Sequence, residues 1–371
     1  MVLDELSALI ALSSIPYLGP VKIKQLIASF GSALNVLAAD LKEIEERSGF
    51  GNKILDGLKN WQDNPKWKEE LKLIQTYGIS LIPYTSPKYP KSLLELHDCP
   101  LILYLLGDLK PEDEKSIAII GTRQAGIYGL EMAEKFSEDL SLQGFTIISG
   151  LARGIDTAAH KAALKNGRTI GVIGSGLLSI YPKENLKLAE AISKNGALIS
   201  EFPLLTPPEK QNFPKRNRII SGLSLGALLI EAPLKSGSMI TMELAKKQNK
   251  KLFVIPGRID DENFQGNHSL IKTREAEVAE NADDICKILH YFGSINSINP
   301  LKSVQKKEFP ELPKEEADFL HKLPAQEFSI EEAILKSEFA PSKLNALLMS
   351  LMLKGAIREY PGKMYKKIGR K

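Results

Sequence analysis

The stretch "EKQNFPKRNR" (209–218) concentrates the residues whose types best suit a ligand: Lys210, Phe213, Lys215, Arg216 and Arg218. Cations around a flat ring suit an anionic, base-bearing strand, because stacking on an aromatic face tolerates any base. Pro214 marks a helix start, and cations in a first turn oppose the helix macrodipole. They therefore need internal carboxylates or an external anion. With Ile219, Ile220 and Leu223 facing inward, Arg216 falls on the same helical stripe. Arg216 is expected to pair with a strand-end carboxylate, Glu201 or Glu231, leaving Lys210, Phe213 and Arg218 to the ligand.

Other loops carry related chemistry. "GTRQAGIYG" (121–129), "SGLARGIDTAAH" (149–160), "GSGLLSIYPKEN" (174–185) and "EAPLKSGS" (231–238) each follow an apolar run. In an open α/β sheet, ligands bind beyond the C-terminal ends of the strands, where these loops lie. Gly121 and Gly150 let backbone approach a ligand closely, and the Ser149 hydroxyl suits a phosphate oxygen. Arg123, Arg153, Lys183 and Lys210 make the same rim basic. This edge reads as a phosphate-binding surface.

The rim lacks the marks of common phosphate enzymes. "GTRQAGIYG" does not have the G-x-G-x-x-G spacing, and Ser149-Gly150 stands where a dinucleotide site needs an acid for the ribose. No Walker A sequence occurs. Asp156, His160, Glu201 and Glu231 all fall near strand ends, so a nucleoside-phosphate-processing enzyme is the alternative reading. Yet Asp156 reads as a helix cap, and no nucleophile, base and orienter form a set. Five scattered histidines and two cysteines, Cys99 and Cys286, are too few for a zinc centre or disulfide framework. No catalytic residue, metal or cofactor is expected.

The elements that must position this rim follow from periodicity. Apolar runs at 116–121, 145–150, 168–176, 196–202, 226–232 and 251–257 alternate with amphipathic segments. That pattern predicts an extended Rossmann-like, doubly wound parallel sheet over 66–292, with "GISLIPYTS" and "LILYLLGD" adding strands. Residues 1–65 read as helical, with two Gly-marked turns resembling helix-hairpin-helix units. A Ser-, Asn-, Pro- and Lys-rich linker spans 293–314. Residues 315–371 follow a winged-helix pattern, whose 340–354 helix is apolar enough to suit a protein partner as well as DNA. The chain has 371 residues and a net charge of only +4, so any binding surface is local. The N-terminus reads as an amphipathic helix, and no apolar run approaches a membrane span of about 18 residues. A cytoplasmic protein without membrane contact is expected.

The motifs also appear as a co-linear set. "GTR", "SGLARGIDTAAH", "GSGLLSIYPKEN", "SEFP", "FPKRNRIISGLS", "EAPLKSGSMIT", "VIPG" and "GNHSLI" occur in an order that resembles the DprA/Smf family of DNA-processing proteins, a resemblance that covers residues 75 to 285. The resemblance implies a non-catalytic protein that protects incoming single-stranded DNA in natural transformation. It implies loading of the RecA recombinase, displacement of single-strand-binding protein, and a homodimer formed through the Rossmann-like domain. It places Arg123, Lys183 and Lys210 on phosphates and Phe213 on bases, with Arg216 and Arg218 on or behind the same surface. One departure is Lys272 to Ala276, where the resemblance implies a short Gly-Ala turn.

Overall fold

The computed structural model describes residues 3–291, 312–324, 326–337 and 339–368. They divide into two units, Met1–Tyr291 and Phe292–Lys371. Most of the expected linker, residues 293–311, lies outside the described residues.

The first unit is built on a nine-stranded sheet. Its strands are β1 (Ser80–Pro83), β2 (Ile102–Gly107), β3 (Ser116–Ile120), β4 (Thr146–Ser149), β5 (Thr169–Val172), β6 (Gly196–Ser200), β7 (Gly226–Leu229), β8 (Lys251–Val254) and β9 (Glu277–Val278). Their spatial order is β1-β2-β6-β5-β4-β3-β7-β8-β9. From β6 through β9 every pairing is parallel, whereas β1–β2 and β2–β6 are antiparallel. The eight expected strands are all present. Their apolar runs are continuous because the central strands are buried on both faces. β9 was not expected: it has two residues, both exposed, and no apolar run announces it.

Helices cover both faces. Phe136 and Phe253 belong to one core, and Ile219, Ile220 and Leu229 to the opposite one. The helix Asn212–Leu223 is covered twice. One side lies on the sheet, and Gly222 on the other meets Leu93 and Leu96, where a Cβ would come within 2.8 Å of Leu93. Near the far edge, Arg274 adopts a φ of 56°, a left-handed conformation that favours glycine. There the chain turns from the helix Gln265–Lys272 into β9 without the Gly-Ala pair that the resemblance implied.

Before the sheet, the helices Glu5–Ser13 and Pro20–Phe30 form one hairpin, and Leu41–Ser48 and Asn52–Lys59 a second. Gly49 ends its helix in a left-handed cap, its N–H returned to the Glu45 carbonyl. Leu9, Leu12, Ile23, Ile44 and Trp67 share a single core with Leu188, Ile192 and Leu198 of the sheet layer. The expected boundary at 65/66 falls at Pro65, the first residue of the helix Pro65–Tyr77, and this core runs across it. From that helix the buried Glu70 carboxylate accepts the Leu204 N–H at 2.8 Å, pinning the loop after β6. Burial raises the Glu70 pKa above the usual carboxylate range.

In the second unit, helices Lys314–Lys322, Ile330–Ser337 and Pro341–Leu353 precede a hairpin of Ile357–Tyr360 and Met364–Lys367. This follows the expected order. A short strand, Phe328–Ser329, pairs with Met364–Lys367 as an addition. Gly362 and Lys363 take positive φ values of 83° and 59° to close the hairpin. Leu344, Leu347, Leu348 and Leu351 are core, so most of the apolar character of 341–353 serves its own unit. Met349 and Leu353 remain exposed.

Phe253, on β8, is fully buried in the core on the sheet's Phe136 face. Phe253→Ala should destabilise the first unit by about 3–5 kcal/mol, through lost transfer energy and an unfilled cavity. A urea titration followed by far-ultraviolet dichroism measures this. A loss below about 1 kcal/mol would mean that this face collapses around the gap.

Candidate nucleic-acid interface

The strand order reverses between β3 and β7, the position where doubly wound sheets admit dinucleotides. Here the protein fills that crevice itself. Glu231, 1% exposed just beyond β7, accepts the Gly126 N–H at 3.0 and 3.2 Å from its two carboxylate oxygens. Gly126 is the N-cap of the helix Ile127–Leu142, and the same carboxylate occupies the space where a Cβ at Gly129 would lie. An internal anion thus sits where a pyrophosphate would use that helix N-terminus. Glu231 is structural in this sense, and its position speaks against the dinucleotide reading.

The open part of the rim lies one step over, above the ends of β3, β4 and β5. Phe213, in the first turn of the Asn212–Leu223 helix, lies against Gly174, where a Cβ would approach its ring to 2.9 Å. The Arg123 guanidinium stands 5.2 Å from the Phe213 ring centroid. Tyr181 lies 6.1 Å from the same ring, tilted by 54° and itself 40% exposed. A small pocket between them is lined by Arg123, Arg153, Tyr181 and Phe213, with Gly150 and Arg216 at its floor. Lys183, Lys210 and Lys215 are exposed, and none of them, nor Arg123, has an ion-pair partner among the described residues. The structure therefore brings Arg123 and Phe213 together and leaves Lys183 and Lys210 on surrounding loops.

Arg216 builds the floor. It is 4% exposed, and its Nη1 donates to the Gly150 carbonyl at 2.5 Å and to the Val172 carbonyl. Its Nε donates to Asn217 Oδ1 at 3.2 Å. Gly150 has to be glycine, since a Cβ would meet the guanidinium at 2.6 Å. Asp156 does not cap its helix as expected. Its carboxylate reaches back to accept the Gly150 and Ala152 N–H groups at 3.1 and 3.3 Å, fixing the loop above β4. Burial raises the Asp156 pKa against the pull of Arg216. Burial also lowers the Arg216 pKa to about 10, with Asp156 opposing and Arg123 adding to the fall.

His160 lies beneath, wholly buried, with Nδ1 2.6 Å from Thr169 Oγ1. That hydroxyl donates to the Ile147 carbonyl at 2.7 Å, so the imidazole Nδ1–H donates to Thr169. Burial first, then Arg216, lowers the His160 pKa to about 3, so the ring stays neutral.

Three sequence expectations require correction. Arg216 does face inward, but its partners are two strand-end carbonyls beside Asp156, not Glu201 or Glu231. Arg218, expected on the ligand face, is 8% exposed. Its Nη2 donates to Glu201 at 2.6 Å and its Nε to Asp98 at 2.8 Å. The single-stripe assumption fails because the helix is covered on two sides, so cations 200° apart are both buried. Burial opposes the Arg218 charge, yet Glu201 and Asp98 outweigh it and its pKa is raised; Glu201 is raised by burial against Arg218. Third, the Ser149 hydroxyl donates to the Ile119 carbonyl at 2.6 Å and is committed to the sheet. At Gly121 the carbonyl accepts from Ser238 Oγ at 2.6 Å.

Sequence reasoning missed Asp98 and Asn185. Asp98 lies between β1 and β2, 120 residues from Arg218, with no local signal. Asn185 is buried, and its Nδ2 donates to the Leu151 carbonyl at 2.9 Å and Thr157 Oγ1 at 2.8 Å, joining the β4 and β5 loops. Among the described residues, no group of His, Cys, Asp or Glu is arranged to hold a metal. No described helix is long and apolar enough to cross a membrane.

Residues 80–290 match the family model described as DNA recombination-mediator protein A. The chain belongs to the DprA/Smf family. It is 46% identical over 249 residues to protein Smf of Escherichia coli, covering 65% of this chain and 63% of that protein's length. It is 40% identical over 223 residues to the DNA processing protein DprA of Bacillus subtilis, covering 60% of this chain and 75% of the relative. The crystal structure of DprA from Streptococcus pneumoniae superposes with a TM-score of 0.67 at 31% identity, covering 77% of this chain and 98% of that one. A structure of the Helicobacter pylori protein, described for its single-stranded DNA binding mode, gives a TM-score of 0.52 at 34% identity. It covers 57% of this chain and 95% of its own. These matches establish the extended α/β fold of this DprA-family protein.

Unfolded, His160 titrates near its ordinary 6.5; folded, it resists protonation down to about 3. Between these values the unfolded chain binds the extra proton, so this contribution to stability is present above 6.5 and is lost as pH falls. The slope reaches about 1.4 kcal/mol per pH unit. His160→Gln should flatten it, read as the pH dependence of the urea midpoint. An unchanged slope would assign the acid sensitivity to other groups.

Proposed function

We propose that this DprA-family protein binds single-stranded DNA without catalysing a reaction on it. In this reading Arg123, Lys183 and Lys210 take phosphates and a base stacks on Phe213. The observation that carries the reading is the assembly of Arg123, Phe213 and Tyr181 around one open pocket. A cation that no carboxylate neutralises, set beside two tilted rings, suits a strand whose phosphates and bases alternate. The Helicobacter pylori relative, described for its single-stranded DNA binding mode, supports a single strand as the ligand. Asp156, His160, Glu201 and Glu231 are buried or internally bonded, which leaves the nucleoside-phosphate enzyme without a free base.

The bound strand would be protected and handed to a RecA recombinase in transformation or homologous recombination, with single-strand-binding protein displaced. A homodimer through the Rossmann-like domain would set two pockets along one strand, and the C-terminal unit would act as a winged helix toward protein or DNA. Its working place would be the cytoplasm, where a recombinase meets entering DNA.

Fluorescent poly-dT and duplex oligonucleotides titrated over a salt series test the proposal. A single-strand preference is expected, with log K falling by about 0.7 per phosphate contact for each tenfold rise in salt. Arg123→Ala or Lys210→Ala should weaken binding by about tenfold to a hundredfold. Phe213→Ala should cost about 1–3 kcal/mol. Equal affinity for both forms, or turnover of nucleoside monophosphates, would sink it. Sedimentation with and without poly-dT reads the dimer, and recombinase filament growth on protein-coated strands reads the loading step.

A further inference from the structure

One cation on the rim is already occupied. Arg153, on the loop after β4, meets Glu184, next to Lys183 on the loop after β5. The guanidinium grips both carboxylate oxygens, through Nε to Oε1 and through Nη2 to Oε2 at 3.1 Å. Both side chains are open to water, 56% and 53% exposed. Exposed ion pairs are mostly worth no more than about 1 kcal/mol, so this one is not the main brace between the loops. The bracing is done beneath it by the buried Asn185, which ties the same two loops through Leu151 and Thr157. Arg153 also lines the pocket that holds Phe213 and Tyr181.

A carboxylate presents two oxygens to an arginine fork much as a phosphate does. Glu184 therefore occupies, on the Arg153 fork, the place where a backbone phosphate would dock at the edge of the pocket. We propose that Glu184 is a built-in phosphate mimic that masks Arg153, and that entry of single-stranded DNA exchanges this carboxylate for a phosphate. Arg153 is then a further DNA contact, and Glu184 sets how readily the strand is taken up and released. The inference rests on the DNA-binding reading above and adds a competition internal to the site. An anion too weak to displace Glu184 finds Arg153 closed. A strand anchored elsewhere on the rim presents its next phosphate at high local concentration and can displace it.

The two partners consequently have opposite effects. Arg153→Ala removes a phosphate contact and leaves an unpaired carboxylate beside the strand. Glu184→Gln keeps shape and size but frees the arginine. Poly-dT titrations of the full chain should show Arg153→Ala weakened about five- to tenfold, with the salt slope shallower by about 0.7. Glu184→Gln should bind about two- to fivefold tighter with the wild-type slope. Thermal midpoints of both should stay within a degree or two of wild type, since the pair is exposed. Weaker binding by both variants, or unchanged binding by both, would overturn the inference, because a brace loses the same pair from either end. Arg123→Ala run in parallel separates the two levels. If it weakens binding while the pair behaves as a brace, only the mimic fails; if it too binds normally, the DNA site itself is misplaced.

Discussion

The site depends on one buried guanidinium. Arg216 joins the carbonyls that end β4 and β5, and through Gly150 it meets the loop that Asp156 gathers from the other side. A cation removed from water this completely needs internal partners: the two carbonyls take Nη1, Asn217 takes Nε, and the nearby Asp156 carboxylate favours the charge. It draws together strands whose sheet hydrogen bonds have run out, giving their loops a fixed relative height. Phe213, three residues earlier on the same helix, is thereby set against Gly174. The platform is half-buried, and the parts that aim it are buried.

The crevice and the pocket are complementary uses of negative charge. At the β3–β7 reversal, Glu231 supplies from within the anion that the helix terminus attracts. Over β4 and β5 the arrangement is opposite, with cations turned outward around two rings. At the same edge of the sheet, one crevice is closed by an internal anion while the neighbouring pocket presents its cations to solvent.

The sheet was legible in sequence because parallel strands buried on both faces read as unbroken apolar runs, and each such run ended in a loop with a distinct composition. β9, two exposed residues held mainly by backbone pairing, left no such trace. The rim cations were legible as residue types, but their division of labour was not. Arg218 looked outward on a helical wheel because a wheel assumes one buried side. Its helix has two, the second supplied by Leu93 and Leu96 from a segment more than a hundred residues earlier. Ser149 looked like a ligand hydroxyl because it ends a strand beside Gly150, yet a strand-end serine can return its proton to the adjacent strand. Pairings such as Arg218 with Asp98, or Asn185 with Thr157, are set by loop juxtaposition across the sheet and have no local signature.

Glu70 gives the rim one further property. Its bond to the Leu204 amide fastens one end of the segment that carries Lys210, and the Asn212–Leu223 helix fastens the other. Lys210 thus rides on a short span clamped at both ends, with Pro207 and Pro208 limiting how far it can bow. In the proposed complex Phe213 and Arg123 would act as fixed points, and Lys210 as a contact of bounded travel between them and the next phosphate. A strand whose rise per nucleotide changes as its bases stack and unstack would then meet a gauge with one stiff jaw and one compliant jaw. Such a gauge would accept many sequences without a separate geometry for each.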